Sequence, residues 1–415
     1  MPGGRKWALI CGALGGALLI GYFASWVAID RVEIGLSDFS ATYVGATLLR
    51  QGDGASMYDQ ALQAQLRRVL DPADSGGNLP FVNPPLAAAV ALPVTLFDLP
   101  TAYRLWGLLQ VALVIAGLGL AVWAAPGRQA LHREEVVAVA LLALACVGTW
   151  RMLIQAQWDG VSAVGLGAAY ACLRKNRPGA AGFVLAAASL IAKPQIALGL
   201  AAFVIGRRDR RLILGAAAGV GIAVLLSVLI AGIGGVAGFA GAVISTGTRF
   251  KLTSFASFIG VAAAVAGSTG AAYVLAGIGG LLALAAAAWL GSAVRARPAR
   301  LEAGLAGAAI LSVLATPHAY GHDLVLLVPA AAWCLATLVG AARQLAASVT
   351  PMAMAAWIAI SAASAIDVVT GGAVPPGPLT PWALIAAAIM AGLVCARQGR
   401  LAGTAGVPSS VAATG

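Results

Sequence analysis

The chain has 415 residues, of which 60% are hydrophobic and only 10% charged, with a mean hydropathy of +0.91, a balance that excludes an ordinary soluble domain and reads as a polytopic membrane protein. The net charge of +11 does not point to nucleic acid, because the cations form short blocks between apolar runs: Arg174, Lys175 and Arg177; Arg207, Arg208, Arg210 and Arg211; Arg295, Arg297 and Arg300; Arg397 and Arg400. This is the positive-inside pattern, and it assigns those connections to the cytoplasm.

After Arg5 and Lys6, the apolar run Trp7 to Ile29 is long enough to cross a bilayer. Comparable runs follow it, so it reads as an uncleaved signal anchor with a cytoplasmic N-terminus. A polar window then extends from Asp30 to Pro85. Ser40 to Arg50 and Tyr58 to Leu70 both predict helices, and in the second an apolar stripe of Tyr58, Leu62 and Leu66 lies opposite Gln63, Arg67 and Arg68. Such helices are expected to lie along the outer membrane surface. Asn83-Pro84-Pro85 stops any helix, and Leu86 to Phe97 is too short to span, so it predicts a short or re-entrant helix. Tyr103 to Ala124 spans. Val136 to Trp150 leads to a second outer turn with Gln155, Gln157, Trp158 and Asp159, and Val161 to Leu173 returns to the block at Arg174.

Pro178 to Gly206 carries Lys193-Pro194-Gln195 near its middle, giving either one kinked helix or a hairpin of two short ones. Basic residues on both flanks favour the hairpin, which brings Lys193 towards the outer side. Leu212 to Ile233 spans outward, and Arg249 and Lys251 then break the positive-inside trend. A short apolar piece, Phe255 to Ala266, precedes spans at Tyr273 to Val294 and Leu301 to Ala315. The turn from Thr316 to Asp323 faces outside, Leu324 to Val339 returns, and two last spans lie between Pro351 and Ala396. Leu401 to Gly415 reads as a disordered cytoplasmic tail. The expected fold is all-α, a single transmembrane bundle over residues 1–400 with roughly 10 to 13 membrane helices including short or re-entrant ones. No internal repeat is visible. The five cysteines lie in or beside apolar runs with no CxxC spacing, so neither a disulfide framework nor a zinc site is implied.

Asp38, Asn83, Trp158 with Asp159, Lys193, Arg249 with Lys251, and His318 with His322 and Asp323 all fall on one side of this topology. Each alone has an ordinary reading as a loop acid, a helix cap, a snorkelling amine or a lipid-headgroup anchor. Together they predict a polar site at the outer membrane boundary. Such a site suits group transfer from a lipid phosphate: a carboxylate serves as general base for an acceptor hydroxyl, and cations hold the departing phosphate. His318 and His322 are four apart, a spacing that on a helix can ligate metal, but Pro317 and Gly321 interrupt the helix and no third ligand is evident, so no metal or other cofactor is expected. The competing reading is a transporter or flippase for a lipid or small solute, which predicts charged groups near the middle of spans.

At these residues the sequence resembles the GT-C superfamily of membrane glycosyltransferases, and most closely glycosyltransferase family 87. The resemblance rests on Asp38-Phe39 through Tyr43, Gly52 to Tyr58-Asp59, and Phe81-Val82-Asn83-Pro84-Pro85 with Pro93 and Trp106. It continues through Gln155-Ala156-Gln157-Trp158-Asp159, Ala192-Lys193-Pro194, and Thr316-Pro317-His318 to His322-Asp323-Leu324. It implies a polyprenyl-phosphate sugar as donor, often of mannose, with transfer to a lipid or glycan acceptor on the extracytoplasmic side of a bacterial plasma membrane, and inversion at the sugar carbon. By position it makes Asp38 the base and His322 a second functional residue near the donor phosphate. Lys193, Arg249 and Lys251 enter as phosphate-binding candidates on charge and topology alone, and His318, Asn83, Gln157, Asp159 and Asp323 as further substrate-site candidates.

Overall fold

A computed structural model describes residues 2–70, 79–246, 251–267, 269–341, 350–373 and 377–397. Arg249 and the expected tail, Leu401 to Gly415, lie outside the described residues. The described chain is helical without a strand, as lipid requires of a chain that must satisfy its backbone within each segment. In order the helices are α1 (Pro2–Ala28), α2 (Arg31–Gly35), α3 (Asp38–Gln51), α4 (Gln60–Leu70), α5 (Pro85–Ala91), α6 (Leu99–Ala124), α7 (Arg133–Leu144), α8 (Val147–Gln155) and α9 (Asp159–Arg174). They continue as α10 (Pro178–Ala192), α11 (Leu198–Arg207), α12 (Arg210–Thr246), α13 (Phe258–Ala266), α14 (Thr269–Ala296), α15 (Leu301–Ala315), α16 (Val328–Ala341), α17 (Thr350–Thr370) and α18 (Thr380–Arg397).

Among the described residues, five helices are long and apolar enough to cross a membrane, in α1, α6, α12, α14 and a stretch containing α15. A sixth span is possible in α7 and α8, which the sequence reads as one helix and which are bent by 61° at Ala145-Cys146. Shorter apolar helices complete a multi-pass bundle. α12 is itself broken at Gly232, whose φ of 66° suits glycine, and its second part reaches over the polar window to pack Gly238 and Phe239 on Tyr58.

The helices meet through small residues. A Cβ on Gly167 of α9 would lie 2.2 Å from the Gly117 carbonyl of α6, and one on Gly215 of α12 would lie 1.9 Å from the Gly179 carbonyl of α10. That second contact fixes a direction. The start of α12 lies beside the start of α10, so Arg207 and Arg177 share one end of the bundle and the chain reverses at Lys193. The basic blocks therefore gather at one end, and the Lys193 reversal, the α8–α9 turn and the turn before residue 321 gather at the other.

The polar window differs from the expected surface helices. α3 is buried from Phe39 to Leu48 and belongs to the core, sharing a cluster with Trp26, Phe81, Tyr103, Trp106 and Trp158. In α4 the inward face carries Gln63 and Arg67 as well as partly buried Leu62 and Leu66. Gln63 accepts from the Phe81 N–H at 2.8 Å and donates to the Met57 carbonyl at 2.7 Å, while Arg67 donates to Ser40 Oγ at 2.8 Å and to the Leu79 carbonyl. Hydrophobic periodicity misses this because the partner is irregular backbone, Leu79 to Asn83, whose donors and acceptors need polar side chains.

Gly167→Val should cost roughly 1–3 kcal/mol by overpacking the α6–α9 contact. Gly119→Ala on α6, where an added Cβ meets nothing within 4 Å, should leave stability unchanged. Thermal unfolding of both purified variants checks the contrast.

Candidate active site

The polar residues of the sequence analysis meet in one cavity of about 280 Å³ at the end of the bundle opposite the basic blocks. Its wall includes Asp38, Asn83, Gln157, Lys193, His318, His322 and Asp323. Asp159 is fully buried directly behind Lys193. Lys251 is exposed and does not line the cavity, although its neighbour Leu252 does.

Asp38 opens α3, where a carboxylate complements the positive end of the helix. It is held from the α8–α9 turn. The Asp38 backbone N–H donates to Gln155 Oε1 at 3.1 Å, and Gln157 Nε2 donates to Asp38 Oδ2. Among the described residues, no hydrogen bond is made to Oδ1. The turn itself depends on Ala156 in a left-handed conformation (φ 44°, ψ 55°), unusual for a non-glycine residue. Tyr103 steadies that turn by donating to the carbonyls of Leu153 and Ile154 at 3.0 and 2.9 Å. One step further, Trp158 donates to Thr42 Oγ1 at 3.1 Å and packs edge-on against Trp106, with ring centroids 4.6 Å apart. The first turn of α3 is thus fixed by three residues of a loop more than a hundred positions away.

A second group lies across the cavity. Lys193, at the chain reversal, places Nζ 3.0 Å from Asp159 Oδ1, 2.7 Å from Asp323 Oδ1 and 3.1 Å from His322 Nδ1. His322 Nδ1 is also 3.2 Å from Asp159 Oδ2 and 3.4 Å from Asp323 Oδ1. The cluster engages Nδ1 and leaves Nε2 as the other ring nitrogen of a residue that lines the cavity. Asp323 Oδ2 accepts from the Tyr320 N–H at 2.7 Å and so holds the turn closed. Phe255, His318 and Tyr320 pack together in tilted and edge-on contacts at centroid distances of 4.9 to 5.1 Å.

Both histidines sit in the turn that precedes α16. Burial pushes His318 down to about 4, against the pull of Asp323, so it is neutral at pH 7. For His322, burial and the Lys193 ammonium act in the same downward direction, but the carboxylates of Asp323 and Asp159 outweigh them and raise it to about 9. Two cations and two carboxylates then neutralise one another, which is the condition under which four ionisable groups can be buried together.

The metal pairing of His318 with His322 is not the arrangement present. His318 sits on irregular backbone, and His322 faces Asp159 and Asp323 instead. Gln155 and Tyr320 were not singled out from the sequence as site residues, although both fall within the runs quoted above. Nothing in a linear sequence indicates that Gln155 bonds to a backbone amide 117 positions earlier.

A family model described as Glycosyltransferase family 87 matches residues 81–317, more than half of the chain. Searches of curated proteins and of solved structures found no match. With that coverage, and with several apolar helices of membrane-spanning length around the site, the chain belongs to glycosyltransferase family 87 and is a multi-pass membrane glycosyltransferase.

Proposed function

We propose that this cavity transfers a sugar from a polyprenyl-phosphate donor to a lipid or glycan acceptor, with inversion at the sugar carbon. Asp38 is the general base in this reading. The observation that carries it is that Asp38, with Oδ2 bound to Gln157 and Oδ1 given no hydrogen bond by any described residue, shares one cavity with His322 across from it. Oδ1 takes the proton from the acceptor hydroxyl as that oxygen attacks the anomeric carbon, and the bond from that carbon to the phosphate oxygen breaks on the opposite side. The ring of His322 meets the departing phosphate there, with Asn83 and neutral His318 as further polar contacts in the wall. Lys193 acts through His322 and the two aspartates that it holds, and exposed Lys251 meets the phosphate at the rim.

Support for a lipid-linked donor comes from the cavity's apolar side. Val243 of α12, Leu252 and Tyr273 of α14 complete the wall, and nearby Ile244 and Val274 expose apolar surface where bilayer lies against the bundle. An isoprenoid chain enters laterally between them. In this reading the cavity opens on the extracytoplasmic side and the N-terminus is cytoplasmic, which the positive-inside bias of the basic blocks at the far end supports. The sugar is mannose or another hexose or pentose, and the membrane is a bacterial plasma membrane.

Purified protein incubated with a panel of polyprenyl-phosphate hexoses and pentoses, with products read by mass, should yield a glycosylated acceptor or free sugar from one of them; no turnover of any member would sink the donor assignment. Asp38→Asn should lower transfer by roughly 10²- to 10⁴-fold while the protein still folds. Gln157→Leu should lower kcat by about 10- to 100-fold with little change in donor KM, because it frees a carboxylate that must be aimed. Gln157→Glu should be worse still, since it sets a second carboxylate against Asp38. Equal kcat in the wild type and both Gln157 variants would remove the clamp from the mechanism.

A further inference from the structure

At the wall of the cavity, His322 and Asp323 form with Asp159 behind them a donor set of the kind that binds a divalent cation. One carboxylate oxygen from each aspartate and a histidine ring nitrogen lie within 4.8 Å of one another, and all three residues are buried. Carboxylate with imidazole suits manganese or zinc. The set is also held on firm elements: Asp159 at the first turn of α9, and the other two in a turn closed by the Asp323 bond to Tyr320.

The space these atoms face is already taken. Lys193 Nζ stands 3.0, 2.7 and 3.1 Å from Asp159 Oδ1, Asp323 Oδ1 and His322 Nδ1, the three residues of the set. A second observation concerns Asp159 Oδ2, which is fully buried and accepts no hydrogen bond of acceptable geometry. It lies 3.2 Å from the same ring nitrogen, so it faces His322 and not the ammonium.

We propose that Lys193 is the resident cation of this site, occupying the position of a divalent metal ion, so that the intact protein works on an internal cation and loss of the ammonium converts Asp159, His322 and Asp323 into a metal site. An ammonium fixed by the chain offers the positive charge that the two carboxylates require and cannot be lost to a chelator. Metal–oxygen and metal–nitrogen distances are about 2.0–2.2 Å, so the three side chains need to close inward only by about an ångström each once the lysine stem is removed. The ammonium is a positioning element: it fixes the carboxylates of Asp159 and Asp323, which in turn hold the His322 ring.

The activity arm of the test rests on the transferase reading above; the binding arm does not. Full-length wild type, Lys193→Ala and Lys193→Ala/Asp323→Asn are purified in EDTA, checked for folding by gel filtration and thermal unfolding, and titrated with Mn²⁺ by electron paramagnetic resonance. The expected result is one Mn²⁺ bound by Lys193→Ala at least about tenfold more tightly than by wild type, with that gain abolished in the double variant. Wild-type transfer should be insensitive to EDTA, whereas Lys193→Ala should be slow in EDTA and regain at least about tenfold in rate with Mn²⁺. A folded Lys193→Ala that binds Mn²⁺ no better than wild type overturns the proposal. So does a wild type that binds Mn²⁺, loses that binding in Asp159→Asn, or stops transfer in EDTA. If Lys193→Ala folds only when Mn²⁺ is supplied, the stability gain itself supports the proposal; if it folds under neither condition, the wild-type EDTA and Mn²⁺ measurements decide. Failure of every sugar donor alongside tight Mn²⁺ binding by Lys193→Ala would count against the transferase details and leave the cation assignment standing.

Discussion

The buried ammonium of Lys193 ties together three parts of the chain: the start of α9, the reversal between α10 and α11, and the turn that leads into α16. Each charge in that group is costly to bury alone. Removing one member of a buried pair typically costs about 3–5 kcal/mol, because the remaining charge is left without a partner. The packing of α9, α10 and α15 must therefore place Asp159, Lys193 and Asp323 within hydrogen-bond reach, or the chain would hold two uncompensated carboxylates in an apolar interior. Small residues at the helix contacts allow that placement by letting backbones approach until a Cβ would collide, as at Gly117 with Gly167 and at Gly165 with Ala188.

The opposite wall is built by a different device. Asp38 is half-buried, and among the described residues no cation pairs with it. It is aimed by neutral amides from the α8–α9 turn, and that turn is anchored by Tyr103 and by the Trp106–Trp158 contact. The two walls thus divide the work by charge: an aimed anion on one side, and a neutralised cluster presenting an imidazole on the other. Charged residues of this cavity sit at one end of the bundle rather than along its length, which favours chemistry at a surface over a path through the membrane.

The polar window between α1 and α6 has a role that its composition conceals. α3 is part of the core, and α4 turns Gln63 and Arg67 inward to hold the irregular stretch from Leu79 to Asn83. That stretch lines the cavity beside Asp38. Its backbone groups have no neighbouring strand, so polar side chains supply the partners that a sheet would otherwise provide.

Much of the fold was legible because lipid imposes one rule, that long apolar runs become helices, and because arginine blocks mark the ends of those helices. The α15 limits, the break at Lys193 and the grouping of Asp38, Asn83, Gln157, Lys193, His318, His322 and Asp323 at one end follow from run lengths and charge in the sequence. The bend between α7 and α8 does not, since it interrupts an unbroken apolar run. Nor do the burial of α3 and the inward polar face of α4, because periodicity records which residues are apolar and not which backbone needs a donor. Only the tertiary structure decided the pairings: Lys193 with partners 34 and 130 positions away, and Asp38 with amides 117 and 119 positions away. Side-chain hydrogen bonds act over about 3 Å, and distances that short between helix ends exist only after the helices have packed.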